Sequence, residues 1–167
     1  MHLTWTAIQR QYVPDSAEHS GRAEALGLNC PGDVFEQLFH EQRDNSSLSE
    51  ILRTVDWVAV TWQEGDLSGM ALRQVGVPRP YERAVDEARA RTARDGFHDE
   101  RAEVMAHWEA ERTWIRAPIL LAGELLQTAL AYELVVGFTR LGNLLGALDR
   151  GDLPESILHR VWIGRAI

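Results

Sequence analysis

The chain has 167 residues, 45% of them hydrophobic and 25% charged, enough for one domain with a proper core and too few for two independent ones. Its formal charge of −8 and pI near 5.2 argue against broad, salt-driven nucleic-acid binding, which needs clustered basic side chains; no run of about 20 apolar residues spells a membrane span. The single Cys30 rules out an internal disulfide, and the first residues carry neither a basic leader nor an apolar signal core, so a cytoplasmic location is expected.

Residues 1–50 read as an N-terminal extension, partly helical. His2 to Ile8 alternates enough for a strand. From Pro31, Gly32 and Asp33 the chain turns helical, with Asp33 as a cap and Val34, Leu38 and Phe39 on one face. Ser47, Leu48, Ser49 and Glu50 have the capping-box pattern of a short helix through Ile51 and Leu52. Residues 55–62, β-branched and aromatic, form the clearest strand of the first half, ended by Gln63, Glu64, Gly65 and Asp66. A short helix over 67–72 follows, then Pro78 and Pro80 as punctuation. A longer helix runs from Tyr81 to about Arg94, with Tyr81, Val85 and Ala88 inward, and Gly96 stops it. Another, from about Asp99 to Arg112, sets Val104, Met105 and Trp108 on one side. In the last third, residues 117–122 read as a buried strand, 123–129 as a long turn and 132–136 as the next strand. A helix over 141–148 with Gly142 and Gly146 on one face and a closing strand over 159–163 complete the chain.

The strongest chemical signal lies where the run Tyr132, Glu133, Leu134, Val135 and Val136 passes through Gly137 into a helix starting near Thr139. The free N–H groups and positive dipole end of such a helix favour an anion, and Arg140 would add a two-pronged contact to phosphate. Taken alone, Gly-x-x-Arg fits equally well a packed turn whose arginine makes a surface ion pair. Other candidates have plainer readings. Glu103 and His107 share a helix face but lack a third ligand, so no metal site is assigned. His98, Asp99 and Glu100 read as a loop and helix start, and Glu133 as solvent-facing. Trp108 and Trp114 read as core residues or as the lining of a base pocket. Cys30, beside Pro31 and Gly32, reads as an unreactive thiol.

The ordered set Pro118 to Leu121, then Tyr132 to Leu141, then a short helix and Arg160 to Ile163 resembles the core of the ParB/sulfiredoxin-like superfamily. There a Pro-Ile-x-Val-like strand pairs with a Tyr-x-Leu-x-x-Gly strand, and a Gly-x-x-Arg turn leads to the helix. The resemblance covers about residues 115–165 and extends more loosely back to residue 55. It implies an α+β fold, a small mixed sheet with flanking helices over residues 51–167, with an enlarged helical insert at about 79–112. It also implies a nucleotide site in which Gly137 is the turn glycine, Arg140 the phosphate-contacting arginine, Thr139 a hydroxyl contact and Phe138 a ring that fills the pocket or stacks on a base. Asp56, Glu64 and Asp66, flanking the first strand, would supply a general base or hold Mg²⁺ beside a nucleoside triphosphate.

The departures are equally specific. Gly137, Phe138, Thr139 and Arg140 stand where partition proteins have Gly-Glu-Arg-Arg, and Phe138 stands where sulfiredoxins place their cysteine. The cradle is present without the family's reactive groups. Two functions are therefore expected: binding of a nucleotide or phosphorylated small molecule, with NTP hydrolysis or phosphoryl transfer as its chemistry, or a non-catalytic interaction role, such as an acidic immunity or antitoxin-like partner of a basic toxin or nuclease.

Overall fold

The computed structural model describes residues 3–11 and 23–167. It is an α+β fold built on a four-stranded mixed sheet. The strands are β1 (Val60–Ser68), β2 (Ile119–Ala122), β3 (Tyr132–Val136) and β4 (Leu158–Ala166), in the order β1-β4-β2-β3. β1 with β4 and β2 with β3 are antiparallel, while β2 runs parallel to β4.

Both faces of the sheet are covered, which explains why β2 and β3 are almost wholly apolar. On one face lie α1 (Trp5–Gln11), a helical segment that starts as α2 (Gly32–Val34) and widens into a π-helical turn over Phe35–His40, and α3 (Ser46–Ile51). Their Trp5, Ile8, Phe35, Leu38 and Leu48 join Ile119, Leu121 and Val135 in one core cluster. The other face carries α4 (Gly69–Leu72), α5 (Arg79–Asp95), α6 (Ala102–Glu111) and α7 (Phe138–Arg150), with Val85, Trp108, Leu141 and Leu144 against Leu120, Leu134 and Val161. Residues 1–50, over their described part, thus supply one of the two covering layers.

α5 and α7 run side by side in the same direction. A Cβ at Gly142 would stand 2.5 Å from the Val85 carbonyl oxygen and one at Gly146 2.4 Å from that of Arg89, so the two glycines let the backbones touch. The same register stacks Phe138 flat on Tyr81, with ring centroids 3.9 Å apart.

Several local expectations are corrected. The segment read as a strand from His2 to Ile8 is helical from Trp5, because Trp5 and Ile8, three apart, are buried on one side; His2 lies outside the described residues. The strand expected over 55–62 starts at Val60 and continues through Ser68, since β4 offers it a partner at every residue, and that pairing overrides the weak β-propensity of Gln63, Glu64, Gly65 and Asp66. Asn45, rather than Ser47, caps α3 by accepting from the Leu48 N–H. Glu133 is buried rather than solvent-facing, because the Gly76 backbone pairs alongside β3 and covers it. No helix among the described residues is long and apolar enough to cross a membrane.

Candidate functional site

β3 ends at Val136, and Gly137 turns the chain into α7 with φ 101° and ψ 30°, a left-handed conformation suited to glycine. A Cβ there would sit 2.7 Å from Pro118 Cβ and 3.1 Å from Arg140 Nε. The bare Cα therefore makes room for the guanidinium of Arg140, which folds back against it. No side chain among the described residues caps α7, and the residues of its first turn, Phe138, Thr139 and Arg140, line a cleft of about 500 Å³.

Arg140 is fixed by neutral acceptors. One terminal nitrogen donates to the Arg116 carbonyl at 2.6 Å and the other to Gln37 Oε1 at 2.8 Å. Gln37, fully buried in the π-helical turn, donates in turn to Asp33 and to the Ala117 carbonyl, at 3.0 and 3.1 Å. With no carboxylate bonded to it, the Arg140 guanidinium is lowered by burial to about 10, and the neighbouring Arg116 charge adds to the effect; it stays protonated at neutral pH. Its remaining N–H groups have no partner among the described residues.

Arg116 is held in the opposite manner, by three carboxylates: Nε on Asp33 at 2.8 Å, and its terminal nitrogens on Glu36 at 2.8 Å and Glu41 at 2.7 Å. Burial raises the Asp33 carboxyl, but bonds from Arg116 and Trp162 outweigh it and hold the group below its ordinary value. Across the cleft stands Arg101, 66% exposed, whose Nε and one terminal nitrogen donate to Asp99, each at 2.8 Å. These bonds bring the Asp99 carboxyl down to about 2. Three guanidiniums, Arg101, Arg116 and Arg140, thus border one cleft together with the α7 N-terminus.

The rest of the lining is mixed: Phe97 stacked on Trp108 at 4.2 Å, with Trp114, Val104 and Ile115, beside the polar Gln42, Thr113 and Asn143 and the carboxylates of Glu41 and Asp99 that hold Arg116 and Arg101. Trp108 and Trp114 are only 7% and 8% exposed, so they serve the core and the cleft together. Phe138 reaches the lining but spends its face on Tyr81, while Thr139 is exposed at the rim.

The carboxylates expected to act on a nucleotide lie elsewhere. Asp56 caps the short turn Trp57–Ala59 and accepts from the Leu3 and Val58 N–H groups. Glu64 on β1 pairs with Arg160 at 3.7 Å, and Asp66 is exposed on the same strand; none of the three borders the cleft. The sequence-predicted residues that come together are Gly137, Phe138, Thr139 and Arg140. Gln37, Arg101 and Arg116 were not singled out by sequence reasoning. For Gln37 a signal existed, a polar residue amid the apolar face of Val34 and Leu38. Glu103 is exposed and His107 half-buried, and no three His, Cys, Asp or Glu side chains among the described residues stand together as a metal site would require.

No protein-family model, curated protein or solved structure matches the chain.

Proposed function

We propose that the cleft at Gly137–Arg140 binds a phosphate-bearing ligand, a nucleotide in the form that the resemblance to the ParB/sulfiredoxin-like superfamily implies, with Mg²⁺ accompanying a triphosphate. The observation that carries this reading is the convergence of Arg101, Arg116 and Arg140 on the uncapped N-terminus of α7, in a chain whose net charge is −8. A polyanion gains there from fixed N–H donors and from the residual charge on Arg140, which no carboxylate neutralises by direct contact. The reading is one of binding. Asp56, Glu64 and Asp66 stand away from the cleft, so their placement lends no support to phosphoryl transfer at this site.

A thermal-shift panel of pyrophosphate, ATP, CTP, GTP and ADP, each with and without Mg²⁺, tests the proposal. A ligand present at about 100 times its Kd stabilises the native state by about 2.7 kcal/mol, a shift of several degrees for a chain of this size. At least one compound is expected to raise Tm in the wild type and to lose that effect in Arg140→Ala, and in Arg140→Lys to a smaller extent. A panel without any shift overturns the reading and favours the interaction role, whose test is capture of a stoichiometric basic partner.

A further inference from the structure

We propose that residues 97–111 form a lid over this cleft, and that on binding Arg101 leaves Asp99 to close on the anion; the inference rests on the phosphate reading of the site. Among the described residues, no side chain of α6 is hydrogen-bonded or ion-paired to another element. The polar contacts of the arm are internal: the Asp99 N–H to Met105 Sδ, Arg101 to Asp99, and the backbone bonds of its own turns. Of the ten residues of α6 only Trp108 is buried; its ring is stacked on Phe97 of the same arm and is the one side chain of α6 that reaches the core cluster of Leu120, Leu134 and Val161. A segment held by a few apolar contacts opens at a small fraction of the global unfolding free energy.

The arm has space to move on both sides. The 500 Å³ cleft lies beneath it, and a second, open cleft of about 820 Å³ lies between His98 to Arg101 at its start and Arg91 and Asp95 of α5. Residues with positive φ bound it at each end, Gly96 at 84° and Arg112 at 56°. Such junctions change the direction of the chain abruptly, as lid hinges do.

Arg101 gives the movement a cause. Arg101 and Arg140 line the same cleft, where like charges disfavour each other's approach in the absence of an anion, and Asp99 holds Arg101 at the rim. A phosphate between them turns that repulsion into a shared attraction, and the differential affinity closes the arm.

Hydrogen exchange on the full chain, alone and with each compound of the thermal-shift panel, tests this together with the variants Arg101→Ala and Arg101→Lys. Without ligand, the amides of 102–111 are expected to exchange at least about a hundredfold faster than those of 141–148, and a compound that raises Tm slows them about tenfold or more. Arg101→Ala weakens that compound about tenfold, and Arg101→Lys recovers most of the loss. Arm protection equal to that of α7, protection unmoved by a bound compound, or wild-type affinity in Arg101→Ala overturns the lid and leaves the site standing. A panel without any shift in the wild type overturns the site reading and the lid with it.

Discussion

Residues 113–118 and residues 97–111 border the same cleft and are fastened in opposite ways. In the first stretch Thr113 bonds His159, Trp114 donates to the Arg160 carbonyl at 2.6 Å, Arg116 grips three carboxylates, and the Pro118 carbonyl accepts from the Trp162 N–H. The second stretch has no such bond to the rest of the described residues and is held by apolar contact. Each directed polar bond fixes a group to within tenths of an ångström and leaves a buried partner unsatisfied when broken, whereas apolar contact tolerates sliding. The difference separates a rigid floor, where Arg140 must be placed accurately, from a roof that can lift to admit a ligand.

Two tryptophans of equal burial provide the sharpest way to break this comparison. Trp114→Ala, on the fastened stretch, is expected to cost about 3–5 kcal/mol of global stability, whereas Trp108→Ala costs about 1–2 kcal/mol, because its core packing is lost but no polar bond ties the arm that carries it to the sheet. Urea unfolding of both variants measures this, and equal losses would mean that the arm belongs to the core. Next in size is Arg116→Ala, which leaves Asp33, Glu36 and Glu41 facing one another without their cation; a loss of about 2–3 kcal/mol in urea unfolding is expected.

A smaller effect concerns His159, which is fully buried with Nδ1 on Thr113 and Nε2 without a partner among the described residues. Burial lowers its pKa from 6.5 to about 4. As the pH falls, the unfolded chain takes up this proton first, so stability declines between about pH 6.5 and pH 4 and levels off below. The decline attributable to this histidine is roughly 1–3 kcal/mol, and His159→Gln should flatten that part of the urea-midpoint profile. An unchanged slope would show that residues 113–118 are not anchored through His159.

The sequence disclosed the elements whose periodicity is undisturbed by distant partners. The strands around Leu120 and Leu134, the helix carrying Gly142 and Gly146 and the Gly137 turn were all legible because their patterns are local. The extent of β1 was not, since Glu64 and Asp66 belong to a strand only through β4, about a hundred residues away. At the site, Gly137 and Arg140 could be read from one turn. What positions them could not, because Gln37 lies 103 residues from Arg140 and Asp33 83 residues from Arg116. The surroundings of Arg140 also show why a short pattern cannot decide between a ligand-facing arginine and a packed one, since this side chain does both: two of its nitrogens lock the floor while the group borders the cleft.

The central claim is that an anion sits on the first turn of α7. Amide chemical shifts report on that turn residue by residue, in ¹⁵N-labelled protein titrated with each compound of the panel. Saturable shifts are expected at Gly137, Phe138, Thr139 and Arg140, with a second set across 97–101 as the arm closes. Saturable shifts centred on another part of the chain, with the 137–140 amides unmoved, would contradict it.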